Sequence, residues 1–249
     1  MGLLIDLHRD GERQGPGSDE DTLGALDLTG VDRAAPLAVA DIGCGTGAST
    51  LTLAAALPRA HLTAVDFLQP FLDELGQRAR RAGAADRITS LCASMDDLPL
   101  PDGAFDLVWS EGAIYNIGFD AGTRAWRRLL KPGGVLVASE LTWLTERRPA
   151  ALQAHWDAEY PEVDLASAKM RVLERNGYSP LGYRVLPPRA WLDNYYRPMQ
   201  ARLDAFLARH GQAEAARAVV EAERREIALY EHHREHVGYG IYVARRTEG

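Results

Sequence analysis

Through the first 141 residues, short unbroken apolar runs alternate with longer stretches in which apolar positions recur at helical spacing. The runs "LAVADIG", "HLTAVDF", "ITSLCAS", "FDLVWSEG" and "GVLVASEL" read as strands, the first of the buried parallel type. Between them, "ASTLTLAAALP" reads as a helix ended by Pro58, and "QPFLDELGQRARRAGA" as one with Pro70 in its first turn and Gly83 at its end. "DAGTRAWRRLLKPGG" reads as a helix running into a turn. This alternation predicts a parallel sheet with helices on both faces.

The two ends differ. The first 17 residues carry polar groups and the turn-rich "QGPG", which predicts a mobile arm. A helix over "DEDTLGALDLTG" follows, with Ser18 or Asp19 as its N-cap and Glu20 and Asp21 at its positive end. Beyond residue 145 the pattern is helical without interleaved strands, until "LGYRVLP" reads as a strand. A helical region over 188–235 leads to a last strand in "VGYGIYVARR", and these two late strands are expected to pair antiparallel at the sheet edge.

A chain of 249 residues, 46% hydrophobic and 25% charged, has the composition of a globular protein and the length for one large α/β domain. The net charge of −7 argues against a nucleic-acid surface. The basic groups at Arg78, Arg80 and Arg81, and at Arg127 and Arg128, read as solvated helix faces. Two cysteines, Cys44 and Cys92, are too few for a disulfide framework and read as reduced thiols in a cytoplasmic protein. The N-terminal apolar run breaks at Asp6, and no stretch reaches the roughly 20 apolar residues of a membrane span. No membrane or nucleic-acid partner is expected.

The chemistry concentrates in "VADIGCGTGAST", residues 39–50. A strand, closely spaced glycines and a helix start let backbone amides approach a ligand with no Cβ in the way. Gly43, Gly45 and Gly47 alone suit a nicotinamide or flavin as well as other nucleotide-like cofactors. Asp66, ending the second strand, can accept hydrogen bonds from ribose hydroxyls. Asp41 discriminates, because a carboxylate just before the first glycine repels a pyrophosphate and suits an ammonium group.

Asp41 to Gly47, Asp66, and "LKPGG" at Leu130 to Gly134 together resemble the class I S-adenosylmethionine-dependent methyltransferases over residues 35–141. The resemblance implies an α/β fold: a Rossmann-like, seven-stranded, mostly parallel sheet with an antiparallel C-terminal edge strand, helices on both faces and a helical cap inserted after strand five. It implies one domain over 1–249, divided into an N-terminal arm and helix (1–34), a cofactor-binding core (35–141) and cap helices with C-terminal strands (142–249). The cofactor implied is S-adenosyl-L-methionine, with S-adenosyl-L-homocysteine as product. Asp41, Gly43, Cys44, Gly45 and Gly47 would hold its methionine part, Asp66 its ribose, and Phe67 and Leu68 would lie beside the adenine. In "ASMDDLP", Ser94 stands where such enzymes carry an acid, so the adenine amine falls to the Met95 backbone and the Asp96 carboxylate. Ser110 and Glu111 would face the reactive end. "RQGPGSDEDT", "WSEGAIYNIGF" and "YGIYVARR" are also similar to small bacterial methyltransferases of the type 11 class, which implies that Gln14, Gly15 and Pro16 close over the cofactor.

Methyl transfer from a sulfonium needs alignment and exclusion of water, and needs a base only if the acceptor must lose a proton. No metal is expected. Glu111, Tyr115 and Asn116, after the fourth strand, are the candidate catalytic residues, and Tyr115, Glu140, Trp143 and Tyr195 the candidate substrate contacts. The aromatics Trp156, Tyr160, Trp191, Tyr195 and Tyr196 form either a pocket for a flat or cationic acceptor or the core of a cap. His232 and His236, at i and i+4, share a helix face, but with His233 they read as a solvated helix end, and His155 is a lone candidate base. A small-molecule acceptor is expected, with a homodimer as the one assembly considered. The rival functions are an NAD(P)-dependent oxidoreductase, a non-catalytic S-adenosylmethionine-binding regulator and a protein methyltransferase.

Overall fold

The computed structural model describes residues 2–9 and 11–248, so Met1, Asp10 and Gly249 of the expected 1–249 unit lie outside the described residues. Strands β1 (Ala38–Ile42), β2 (His61–Asp66), β3 (Ile88–Cys92), β4 (Phe105–Ser110) and β5 (Leu130–Trp143) pair in parallel in the order β3-β2-β1-β4-β5. The inner strands β1, β4 and β5 are covered on both faces, whereas β3 lies at the edge with Thr89, Ser90 and Cys92 exposed. Val39, Leu107, Trp109 and Val137 point into one core with helices α2 (Asp19–Thr29) and α3 (Ala48–Ala56). Ala40, Val108, Leu136 and Ala138 point into the other with α5 (Phe119–Trp126) and α7 (Ala166–Arg175). Helix α4 (Gln69–Arg81) starts with Pro70 in its first turn and packs on β2 and β3.

Strands β7 (Tyr178–Val185) and β8 (Val237–Arg246) extend this sheet through antiparallel pairs β5·β8 and β8·β7. The antiparallel C-terminal strand therefore sits one place in from the edge, and β7 takes the edge itself. Among the described residues an eighth strand, β6 (Asp164–Leu165), pairs with the end of β5, in a region the sequence marks as helical throughout. Two residues are too few to leave an alternation pattern.

The first residues are not a loose arm. Helix α1 (Gly2–Arg9) buries Leu7 against the cap, because Leu3 and Leu7 are one helical turn apart and share a face. The cap consists of α6 (Ala150–Glu159), α8 (Pro188–Trp191), a π turn over Leu192–Tyr196, α9 (Arg197–Arg209) and α10 (Glu214–His233). Met199, Leu203, Phe206, Val220 and Ile227 join it to the core on the α2–α3 face. Ser18 caps α2, its hydroxyl accepting from the Asp21 amide at 3.1 Å. No helix among the described residues is long and apolar enough to cross a membrane.

Candidate functional site

The parallel strands end along one edge, and the loops leaving β1, β2, β3 and β4 meet there. In the glycine loop, the amides of Gly43 and Cys44 donate to the Val65 carbonyl at 2.8 and 3.0 Å, and the Gly45 amide donates to Asp66 Oδ2 at 2.8 Å. Gly43 has φ +74, and a Cβ there would collide with the Ala113 methyl from the loop after β4. Gly47 has φ +89, and a Cβ would collide with Leu75 of α4. The glycines thus serve two ends, turning the chain and letting neighbouring elements close on it. Cys44, between them, is buried, and burial pushes its thiol well up.

Asp41 is fully buried. Its Oδ2 accepts from Ser49 and Thr50 hydroxyls at 2.8 and 2.6 Å, while Oδ1 has no hydrogen-bond partner among the described residues. Burial pushes its carboxyl up to about 7 against those two hydrogen bonds, with the charges of Glu111 and Asp66 adding to the rise. Asp66 ends β2 with Oδ1 accepting from the Leu68 amide at 2.9 Å. Burial raises its pKa as well, against hydrogen bonds from the Leu68, Gly45 and Phe67 backbone. Phe67 beside it is 65% exposed, a bare ring at the rim of the loop.

After β3, the Ser94 hydroxyl donates to the Asp96 carboxylate, so the acid at 96 is turned onto its own loop. The Met95 carbonyl accepts from Trp126 Nε1 at 2.8 Å, which ties this loop to α5. Ser110 ends β4 fully buried, its hydroxyl without a partner among the described residues.

The N-terminal segment comes to the same place. Gln14 Oε1 accepts from the Thr46 amide at 2.9 Å and the Thr46 hydroxyl at 3.0 Å. Pro16 is buried, and Gly17 bonds to the cap through its amide to the Ala190 carbonyl and its carbonyl from Asn194. A Cβ on Gly15 would meet open space. Glu111 is the anchor of this segment: Oε1 accepts from Thr22 and from Trp109 Nε1, both at 2.8 Å, and Oε2 pairs with Arg13 at 3.3 Å.

Among the expected substrate contacts, Tyr115 is 39% exposed and meets Tyr160 edge-on at 6.1 Å, while Asn116 Nδ2 donates back to the Ala113 carbonyl. Glu140 is fully buried and neither of its oxygens has a hydrogen-bond partner among the described residues. Lys169 Nζ lies 3.5 Å away and over the rings of Phe119 and Tyr160. Burial drives Glu140 up to about 7 in spite of that lysine. Tyr195 stacks on His8 at 6.1 Å. Trp143 does not join them; it is 2% exposed in the core, with the Arg148 guanidinium 4.2 Å above its ring.

Arg13, Thr22 and Lys169 go unread in the sequence because their partners lie far along the chain, whereas Ser49 and Thr50 reach Asp41 from the same strand-turn-helix stretch. His155 packs edge-on against Trp156, and His233 and His236 are 6.4 Å apart by ring centroid. Among the described residues no group of three metal-ligating side chains comes together.

The stretch that carries the glycines, Asp41 and Asp66 is similar to known proteins. Residues 39–134 match the family model described as a methyltransferase domain. Over those residues the chain is similar to this domain family. The chain is 35% identical over 140 residues to a malonyl-[acyl-carrier protein] O-methyltransferase of Methylovorus, covering 54% of this chain and 46% of that protein. A demethylmenaquinone methyltransferase of Clavibacter sepedonicus is 37% identical over 105 residues, covering 42% of this chain and 41% of the relative. The chain thus spans less than half the length of these curated relatives. An S-adenosylmethionine-dependent methyltransferase of Geobacter sulfurreducens, solved with S-adenosyl-L-homocysteine, superposes with a TM-score of 0.85 at 19% identity. That superposition covers 98% of this chain and 97% of the other, and gives the Rossmann-like methyltransferase fold to the whole chain. The domain family takes S-adenosylmethionine as its cofactor.

Proposed function

We propose that the protein transfers a methyl group from S-adenosylmethionine to a small-molecule acceptor by direct displacement. The observation that carries this reading is the pair of buried polar atoms without partners, Asp41 Oδ1 and Ser110 Oγ, at the ends of adjacent strands beside a glycine loop. A cationic amino-acid group at Asp41 and a polar ligand atom at Ser110 would satisfy both. When bound, the cofactor supplies an electrophilic methyl on a sulfonium, which needs no further activation.

The chain's own residues then have separable tasks. Asp66 accepts from ribose hydroxyls while holding Gly45, Phe67 stacks at the rim, and the 94–96 loop borders the base. Glu111 holds the N-terminal segment through Arg13 and Thr22, so its task is closure and not proton transfer. Gln14 carries that segment onto the glycine loop and excludes water, which protects a displacement from hydrolysis. Tyr115 and Asn116 border the acceptor. The arm, core and cap act as one unit, because α1 and the cap share an apolar core with the sheet.

Calorimetric titration with S-adenosylhomocysteine, beside NAD and NADP, tests the reading. Saturable binding of the first alone supports it; binding of a dinucleotide instead overturns it in favour of oxidoreduction. Turnover of methyl-labelled S-adenosylmethionine separates an enzyme from a regulator.

A further inference from the structure

Arg78, Arg80 and Arg81 read in the sequence as one solvated face of α4, and the structure separates them. Leu75 and Arg78 are three residues apart and share a helix face, and it is Leu75 that packs against Gly47 of the glycine loop. Arg78 therefore leaves the helix at the edge of its buried stripe, toward the cofactor loop. Its side chain is 20% exposed, against 68% for Arg81.

What Arg78 reaches is main chain. Its Nη1 donates to the Glu12 carbonyl at 2.9 Å and its Nη2 to the Gly11 carbonyl at 3.0 Å, while Nε donates to Glu74 Oε1 at 3.0 Å, one turn back on α4. The same Gly11 carbonyl accepts from Gln14 Nε2 at 3.0 Å and from the Thr46 hydroxyl at 3.5 Å. A planar fork thus grips two adjacent carbonyls, and its charge strengthens each bond. Arg81, by contrast, donates to Glu74 and to the Gln77 carbonyl of its own helix.

Residues 11–14 are held to three elements around the cofactor loop. Arg78 fastens them to α4, Gln14 to the glycine loop at Thr46, and Arg13 to Glu111 at the end of β4. Gln14 Oε1 lies so close over the loop that a Cβ on Gly45 would meet it at 2.5 Å. Behind this segment, α1 is docked on the cap, with His8 3.4 Å from Glu223 and Asp6 2.7 Å from Arg209. Gln14 and Arg13 hold through their own side chains, which can swing, whereas the Arg78 fork fixes the path of the backbone itself. We propose that Arg78 is a positioning residue for the methyl transfer: by gripping the Gly11 and Glu12 carbonyls it keeps the segment closed over bound cofactor and sets the rate at which S-adenosylhomocysteine leaves. It acts through the segment and not on the reacting atoms, and the inference rests on the function proposed above. Opening of such a cover limits turnover in many enzymes.

The test follows association and dissociation of S-adenosylhomocysteine on the immobilised full chain by surface plasmon resonance. Arg78→Ala should speed release about tenfold and leave association within about threefold of the wild type. Arg78→Lys keeps the charge without the fork and should release at a rate between the two. Arg81→Ala should match the wild type in both rates. Because Arg78 and Gln14 meet on one carbonyl, Arg78→Ala combined with Gln14→Ala should release more slowly than the product of the two single effects. A role confined to the stability of α4 would instead slow association and let the two effects multiply in full. Release from Arg78→Ala accelerated by about threefold or less, the same acceleration in Arg81→Ala, slowed association, or full multiplication overturns the proposal. If the alanine variant does not fold, Arg78→Lys decides the matter, and release no faster than wild type overturns it. A wild-type chain that does not bind S-adenosylhomocysteine would remove the parent reading instead.

Discussion

Gln14 and Thr46 are joined by two hydrogen bonds to one oxygen: Gln14 Oε1 accepts from the Thr46 amide and the Thr46 hydroxyl. The side-chain amide of Gln14 in turn donates to the carbonyls of His8 and Gly11, so helix α1 and the glycine loop are fastened through a single residue. Gln14→Ala leaves the Thr46 amide without its partner and loosens the segment that covers the site. With about 0.5–1.5 kcal/mol for each bond, S-adenosylhomocysteine should bind roughly tenfold more weakly. Calorimetry on the variant checks this, and an unchanged affinity removes Gln14 from the closure.

Asp66 has the larger effect. Its carboxylate accepts from the amides of Gly45 and Leu68 and has no substitute for either. Asp66→Ala leaves two orphaned amides and no acceptor for ribose hydroxyls, and hydrogen bonds to charged groups contribute about 1.5–3 kcal/mol each. The expected loss of S-adenosylhomocysteine affinity is about 100-fold or more, with Asp66→Asn intermediate. Wild-type affinity in the alanine variant would end the assignment of Asp66 to the cofactor.

The core of the fold and the cofactor loop were legible because they are local. The parallel strands are continuous apolar runs, and Asp41 to Gly47 sit on one strand-turn-helix stretch. What the sequence hides is long-range. Glu111 reads as a reactive acid until Arg13 and Thr22, 98 and 89 residues away, are seen to occupy it. Helix α1 was masked by Asp6, His8 and Arg9 around the Leu3–Leu7 face. Glu223 left a signal that goes unread: it falls on the apolar stripe Ala216, Val220, Ile227, Tyr230 of α10, where a carboxylate is out of place.

Gly43 is required twice over. Its φ of +74 costs an L-residue about 1–2 kcal/mol, and a Cβ would meet the Ala113 methyl. Gly43→Ala should lower the melting temperature by several degrees, at roughly 2–4 °C per kcal/mol. Adding Ala113→Gly should recover the collision but not the backbone strain, leaving the double variant between the two. Thermal denaturation of the three proteins reads this out, and a double variant no better than the single one would place the whole cost in the backbone.

Asp41 should make both stability and cofactor affinity depend on pH, with opposite signs. Burial raises its pKa from 3.8 to about 7, so between those values the folded free protein holds a proton that the unfolded chain has released. Its contribution to stability is therefore fully present below pH 3.8 and is lost as the pH rises through about 7. Glu140, raised from 4.5 to about 7, acts in the same sense, so Asp41→Asn should flatten the fall in melting temperature only in part. Binding of an ammonium group needs Asp41 ionised, and affinity for S-adenosylhomocysteine should instead increase from pH 5 toward neutrality, by roughly tenfold per pH unit at most where one proton is released. Asp41→Asn should bind weakly and without that slope. Calorimetry at several pH values in buffers of different ionisation enthalpy counts the proton directly, and a wild-type protein that releases none on binding would show that Asp41 does not meet the cofactor's charge.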